Sequence, residues 1–435
     1  MGNYLPSTGL QQQEMLAAVG LESFDELYSV VPDDIRIKQP LNLPEGKSEA
    51  ELLRFFTDVS EKNTLYKTIF RGAGTYRHYI PSIVQSVTGK ETFLTAYTPY
   101  QAELSQGILQ SIFEYQTMIT WLTGLDAANA SVYDGASAAG EAAAMCRDKK
   151  RNVTLVSAAA HPDNIDTITT YCRSAGYEVR IIPSKDGLTD LDALKELLDD
   201  TVSGVYLQQP NLYGLIEDCT ACAEIVHQAG ALFIMGINPI AAAVLKSPGE
   251  CGADIAVGEG QPLGMPLSFG GPYLGFMAAT SRLVRKLPGR IVGATLDDKG
   301  NRAFVLTLQA REQHIRREKA GSNICSNEAL CAMTAAVYMA AMGPDGMREV
   351  ASQCISKAHY LAEQLAAIGL TRVHSGSFFH EFVTICPGSD AVLAHLAENG
   401  ILGGLPVREG ILWCATEMNS KADIDRLVAL IKEVI

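Results

Sequence analysis

The stretch from Asp254 to Met277, DIAVGEGQPLGMPLSFGGPYLGFM, has the layout of a cofactor-holding turn. An apolar run, Ile255 to Val257, reads as a strand end, a Gly-rich loop follows, and a second apolar run, Tyr273 to Met277, returns. On an α/β sheet, a lysine in such a loop can form a Schiff base with pyridoxal phosphate, because its amine is the nucleophile the aldehyde needs. Here the loop reads Gln261-Pro262-Leu263, and no lysine occurs from 247 to 285. An element shaped for covalent cofactor chemistry lacks the residue that performs it.

Three other stretches carry candidate chemistry. Tyr97-Thr98-Pro99-Tyr100-Gln101-Ala102-Glu103 precedes an amphipathic pattern running to Thr123-Gly124, with Ile108, Ile112, Tyr115, Ile119 and Leu122 at helical spacing. Pro99 suits a helix start, so the phenols of Tyr97 and Tyr100, the Gln101 amide and the Glu103 carboxylate would stand at a helix entrance and could bind a polar substrate. N-capping and aromatic packing explain the same residues. Tyr133 to Glu141, with Ser137 at its centre, opens an Ala-rich helix whose free N–H groups and dipole suit an anion; such a start is also a common packing joint. Phe70 to Pro81 (FRGAGTYRHYIP) reads as a loop of specific shape. The mixed-charge run Arg311 to Lys319 reads as a solvated helix face, with Arg311 or His314 reaching an acidic group across an interface as the sharper option.

The elements that must position these residues follow an alternating rhythm from Asn152 onward. Strands are expected at 153–157, 178–182, 203–208, 231–236 and 254–257, with helices near 163–175, 190–199 and 219–229, which implies a mostly parallel sheet covered by helices. Ligands in such sheets bind beyond the carboxyl ends of the strands, where His161-Pro162, Gln209-Pro210-Asn211, Asn238-Pro239 and Gln261-Pro262 all fall. Before this sheet, residues 1–60 read as a helical arm: Ser23 can cap a short helix, Pro40, Pro44 and Gly46 break the pattern, and a helix follows from about 48 to 62. A large α/β domain is expected over 61–320. A smaller α+β domain follows over 321–435, with two Ala-rich helices, a strand at 381–386, a helix at 390–398, a strand at 411–415 and a closing helix from Lys421.

Several function classes are excluded. A net charge of −14 argues against nucleic acid or an anionic membrane surface as the main partner. The longest apolar run, Ala231 to Leu245, is broken by Asn238-Pro239 and falls short of the roughly 20 residues a membrane span needs. The N-terminal stretch has no basic segment followed by an apolar one, so no secretory signal is expected. Ten cysteines lack regular spacing, and Cys146, Cys222, Cys331 and Cys354 sit in Ala-rich helical patterns, which favours reduced thiols in a cytoplasmic protein. Gly258-x-Gly260-x-x-x-Gly264 is one residue too long for a dinucleotide fingerprint and precedes a strand rather than a helix. GxxxxGK[ST], HExxH and GxSxG are absent.

Taken together, RGAGTYRHYIPSIV, YTPYQAELSQGILQSIFEYQTMITWLTG, YDGASAAGEAAAM, QQPNLYGLIED, GADIAVGEGQPLGMPLSFGGPYLGFMA and LQAREQHIRREKAGSNICSNEAL resemble the glycine-cleavage P-protein family, and within it the separately encoded N-terminal, alpha-type half. The resemblance runs from Tyr4 to the C-terminus. It implies the type I fold of pyridoxal-phosphate-dependent transferases: a mostly parallel large-domain sheet covered by helices, plus a smaller α+β domain. It also implies a half that lacks the cofactor lysine, with Gln261 or Pro262 near that position and Asn238 near the aspartate that pairs with the pyridine nitrogen. His161 and Ser137 then stand where a stacking ring and the phosphate cradle would be, as vestiges.

In that family a beta-type partner, most simply two beta with two alpha, holds pyridoxal phosphate. Glycine loses its carboxyl as carbon dioxide, and the aminomethyl group passes to the lipoyl arm of the H-protein. Tyr97, Tyr100, Gln101 and Glu103 become the candidates for reaching into the partner's site, and this chain alone is expected to be inactive. The rival expectations are a self-sufficient enzyme using Lys246, Lys286 or Lys299, and a non-catalytic assembly or regulatory subunit.

Overall fold

The computed structural model describes residues 7–148, 150–324 and 326–435. The first six residues of the N-terminal stretch, and Cys325 within the NICS motif, lie outside the described residues. Two compact units are present, Met1–Leu65 and Tyr66–Ile435.

The first unit contains helices Gly9–Ala18, Phe24–Leu27 and Glu49–Ser60. Ser48 starts the last of these as a reciprocal cap: its hydroxyl accepts from the Glu51 N–H, and the Glu51 carboxylate accepts from the Ser48 N–H at 2.7 Å. That local chemistry was legible in Ser-x-x-Glu. Leu16 is this unit's one buried residue among the described ones, while Leu53, Phe55 and Phe56 on the third helix are exposed.

In the second unit a seven-stranded sheet forms the frame. Five strands run parallel, in the spatial order Glu178–Ile182, Val153–Ser157, Val202–Gln209, Leu232–Ile237, Ile255–Glu259. Gly275–Ala279 then returns antiparallel beside Ile255–Glu259, and the short Ala127–Ala128 closes that edge. The central strands are buried throughout, as expected for a parallel sheet covered on both faces. The chain steps outward from 153–157 to 178–182, then back to 202–209. This reversal opens a crevice at the carboxyl ends of 153–157 and 202–209.

The C-terminal part carries a three-stranded antiparallel sheet, Glu381–Thr384, Gly410–Cys414 and Leu405–Val407, with helices Ser389–Glu398 and Lys421–Lys432. Trp413, Phe382 and Leu427 anchor its core. The two expected Ala-rich helices are continuous over Ala329–Ala367 except at Gly343, whose φ of 62° and the following Pro344 make the break. One spacing escaped the sequence reading: Cys219-Thr220-Ala221-Cys222 is a Cys-x-x-Cys pair. Both thiols are buried on the Cys219–Gln228 helix, and all nine described cysteines are free.

Candidate active site

A cleft of about 290 Å³ lies at the carboxyl edge of the sheet. Of the punctuation residues expected there, His161, Pro210, Asn238, Pro239 and Pro262 border it, whereas Pro162, Gln209, Asn211 and Gln261 do not; Gln208 and Glu259, from the ends of 202–209 and 255–259, stand in the wall instead. The loop Ala73–Tyr76, the helix start Asp134–Ala136, Tyr273 and His380 complete the walls.

Gln261 itself is buried and faces away from this space. Its Oε1 accepts from the Tyr76 N–H (2.8 Å), while its Nε2 donates to the Tyr76 carbonyl (2.9 Å) and the Met265 carbonyl (2.8 Å). Both N–H bonds of the amide are committed, so Gln261 is a clamp that ties the 70s loop to the loop after 255–259. Asn238 Oδ1 accepts from the N–H groups of Ile240 (2.9 Å) and Ala241 (3.2 Å), leaving Nδ2 buried without a partner. The His161 Nε2 lies 2.9 Å from the Ala73 carbonyl, which fixes the proton on Nε2, and Nδ1 accepts from the Asp163 N–H. Gly74, at φ 104°, lies against this ring, and a Cβ there would come within 3.2 Å of Nε2. A loop of this chain thus occupies a face of the His161 ring.

The helix Gly135–Cys146 starts where an anion cradle was considered, but its N–H groups already hold carboxylates. Ser137 N–H donates to Asp134 Oδ1 at 2.7 Å, and Gly135 N–H donates to Glu259 Oε2 at 3.0 Å. Glu259 Oε1 also accepts from the N–H groups of Gln261 (2.9 Å) and Leu274 (3.0 Å). Desolvation pushes the Glu259 carboxyl up to about 7, with the neighbouring Asp134 charge adding to the rise. Nearby, the buried Tyr76 hydroxyl donates to Glu381 Oε2 at 2.7 Å, and the Ala73 N–H donates to Oε1 at 2.6 Å. Burial pushes Glu381 up to about 7. His380 is 1% exposed, its ring 4.5 Å from that of Tyr76. Both of its nitrogens lack partners, and burial, then the neighbouring His78, holds it well below the usual histidine range.

The 97–103 stretch is elsewhere. Tyr97 is 90% exposed, Gln101 and Glu103 are exposed, and none of the four candidates borders this cleft. Tyr100 is half-buried, its hydroxyl donating to Asn327 Oδ1 at 3.0 Å, with the Arg290 guanidinium over its ring at 4.6 Å. The expectation of Pro99 at a helix start is corrected: the helix is Gln106–Thr123. Its start is set from outside, since the Gln106 side chain exchanges two hydrogen bonds with the Phe304 backbone. The 311–319 run is likewise no continuous helix but three short turns. Arg311 clamps the Leu287 and Gly289 carbonyls, and the buried Glu312 pairs with Arg290.

Comparison with known proteins follows this geometry. The model of the glycine cleavage system P-protein family matches residues 2–431. The chain belongs to the glycine cleavage system P-protein family. It is 50% identical to "probable glycine dehydrogenase (decarboxylating) subunit 1" of Moorella thermoacetica, over 99% of each chain, and 47% identical to the protein of that name in Bacillus cereus, over 98% of each. A solved glycine decarboxylase (P-protein) in inhibitor-bound form superimposes with a TM-score of 0.93 at 42% identity, covering both chains fully. The sphingosine-1-phosphate lyase of Burkholderia pseudomallei, at 14% identity and a TM-score of 0.67 over 93% of this chain and 94% of that one, shares the fold alone. The fold is that of type I pyridoxal-phosphate-dependent enzymes.

Within this P-protein chain the cleft does not fit pyridoxal phosphate. No lysine or arginine is among the described residues that border it, the Gly135 and Ser137 N–H groups at the helix start hold carboxylates, and Asn238 offers an amide rather than a carboxylate to a pyridinium. Lys286 donates to the Met145 carbonyl, and Lys246 and Lys299 do not border the cleft either. The residues that close the site, Glu259, Asp134, His380 and Glu381, escaped the sequence reading. Asp134 was findable as an Asp-x-x-Ser cap, whereas His380 and Glu381 come from more than 100 residues downstream with no local signature.

Proposed function

We propose that this chain is one subunit of a heteromeric glycine dehydrogenase (decarboxylating) of the glycine cleavage system. A beta-type subunit holds pyridoxal phosphate, glycine is decarboxylated there, and the aminomethyl group passes to the lipoyl arm of the H-protein. The observation that carries this reading is Gln261: a fully hydrogen-bonded amide near the expected lysine position, beside a cleft where Glu259 and Asp134 hold the Gly135 and Ser137 N–H groups. The chain's contribution is then to the neighbour's site. Tyr97, Tyr100, Gln101 and Glu103 supply phenols, an amide and a carboxylate that orient glycine or the lipoyl arm, and the exposure of three of them supports that role. The exposed Phe55 and Phe56 of the N-terminal arm support a protein partner, and an assembly of two alpha with two beta is the simplest arrangement. We place a large domain over 61–320 and a small one over 321–435; a core around Trp413 supports the small one, while Ala332 to Cys354 of the long helix pack into the core around Phe233. Among the described residues no helix is long and apolar enough to cross a membrane, and we place the enzyme in the cytoplasm.

Co-expression with the lysine-bearing subunit tests the reading through glycine-dependent bicarbonate exchange in the presence of lipoylated H-protein. Exchange is expected from the mixture and none from this chain alone. Alanine at Tyr97 or Glu103 should lower the mixture's turnover about 10-fold or more without dissociating the subunits. Exchange by the isolated chain, or a borohydride-trapped cofactor on Lys246, Lys286 or Lys299, would overturn it.

A further inference from the structure

Of the four side chains assigned to the neighbour's site, only Tyr100 is anchored. Among the described residues the side chains of Tyr97, Gln101 and Glu103 are exposed and make no hydrogen bond or ion pair, whereas Tyr100 is half-buried and gripped twice. Its hydroxyl donates to Asn327 Oδ1 at 3.0 Å, and the Arg290 guanidinium lies over its ring at 4.6 Å. Arg290 is fixed in turn by an ion pair with Glu312, the two side chains being 11% and 3% exposed. None of the three residues that hold Tyr100 borders the cleft.

Stability alone is a poor account of this arrangement. Desolvation offsets most of the attraction within a buried ion pair, so apolar residues of similar volume would hold the fold as well. The pair is also incompletely satisfied, since Glu312 Oε1 and Arg290 Nε are buried without partners. What it supplies is placement: a flat, pre-organised guanidinium at a fixed position against one phenol ring. The far side of the stretch is referred to the same region, because Gln106 Nε2 donates both to the Ala102 carbonyl at 2.7 Å and to the Phe304 carbonyl at 2.8 Å. A surface segment whose other polar side chains are free is thus held in one place from residues 290–327.

We propose that Arg290, Glu312 and Asn327 are positioning residues for the heteromer's reaction, acting through Tyr100. Asn327 sets the direction of the phenol, Arg290 sets the plane of its ring, and Glu312 keeps Arg290 in place. Tyr97, Gln101 and Glu103, carried on the same short stretch, are thereby presented together. The inference rests on the reading that the 97–103 stretch serves the neighbour's site, and it assigns to the 311–327 motif a part in the reaction. A shift of about 1 Å in a substrate-orienting group can cost as much as 100-fold in rate, so loss of either grip is expected to appear in turnover.

The test compares Tyr100→Phe, Asn327→Ala, their double variant and Arg290→Lys in the reconstituted heteromer, measuring glycine-dependent bicarbonate exchange per assembled complex. Tyr100→Phe and Asn327→Ala should each lower kcat about 10-fold with the subunits still associated. The double variant should be no slower than either single one, because both delete the same hydrogen bond. Arg290→Lys keeps a cation for Glu312 but loses the flat face over the ring, and should lower kcat several-fold. Residues that only stabilised the fold would lower the melting temperature and leave kcat per complex unchanged. On this chain alone, hydrogen–deuterium exchange of the 97–104 peptide should quicken in Asn327→Ala and in Arg290→Lys while the sheet strands stay protected. Additive losses in the double variant, unchanged exchange of that peptide, or parent kcat in Asn327→Ala and Arg290→Lys beside a slow Tyr100→Phe would overturn this inference alone. Parent kcat in Tyr100→Phe as well, or an inactive parent mixture, would overturn the reading beneath it too.

Discussion

The helix Gly135–Cys146 has a cavity at each end, similar in size and opposite in charge. At its N-terminus is the 290 Å³ cleft with Asp134 and Glu259; at its C-terminus is a space of about 300 Å³ bordered by Arg147, Arg285, Lys286, Arg311, Arg316 and Lys319. The signs follow the helix dipole, carboxylates on the free N–H groups and cations on the free carbonyls: Lys286 Nζ donates to the Met145 carbonyl at 2.9 Å, and Arg147 reaches that of Ala144 at 3.4 Å. The difference lies in what the charges are left to do. Several basic groups at the far end are spent on backbone carbonyls or on a ring, Arg147 over Tyr177 at 4.6 Å, whereas at the cleft Asp134 and Glu259 hold backbone N–H groups and burial pushes Glu259 up to about 7. The basic end carries lasting charge, and the acidic end includes a carboxyl whose charge depends on pH.

The strongest way to break this contrast is to place a cation in the clamped wall of the cleft. Gln261→Lys removes three hydrogen bonds and buries an ammonium without a designed partner; unfolding in urea should show a loss of about 3–5 kcal/mol. The variant should still show no cofactor absorbance, because the anion cradle stays filled.

The next effect is on pH dependence. Glu259, Glu381 and Glu141 are all raised to about 7 by burial. A carboxyl raised in the folded state adds stability that is complete below about 4.5 and is lost as pH climbs through about 7. Glu259→Gln removes one such group, so the fall in stability between pH 4.5 and 7 should become shallower, by at most about 1.4 kcal/mol per pH unit, as thermal melts across that window would show.

Smaller effects separate the two helix ends directly. Asp134→Ala deletes the N-cap and should cost about 1–2 kcal/mol, whereas Lys286→Met, deleting one carbonyl clamp at the other end, should cost about 0.5–1 kcal/mol. If the larger loss came from Lys286, the basic end would be the one that holds the helix. The exposed Arg316 and Lys319 mark the floor of the series: their double Gln variant should stay within about 0.5 kcal/mol of the parent.

Much of the frame was readable from local rules. The strands at 153–157 and 178–182 have the expected bounds, since Val, Thr and Ile dominate short runs set between polar turns, and the helix expected from about 48 to 62 is present over Glu49–Ser60. The resemblance to the P-protein family likewise rested on contiguous motifs, and the lack of a lysine from 247 to 285 is read directly from one stretch. Helix starts that depend on distant partners were misplaced: nothing near Pro99 reveals that Phe304 holds Gln106.

The sequence by itself determined that this chain has a parallel α/β frame of the P-protein family and no lysine from 247 to 285, since periodicity and the absence of a residue type from a stretch are local facts. Only the tertiary structure decided how the loop at 261 and the cleft walls are held. Gln261 meets Tyr76 across 185 residues, Glu259 meets Gly135 across 124, and His380 is carried to the cleft from the C-terminal sheet. Hydrogen bonds and burial of that kind depend on separation in space, and sequence spacing does not encode it.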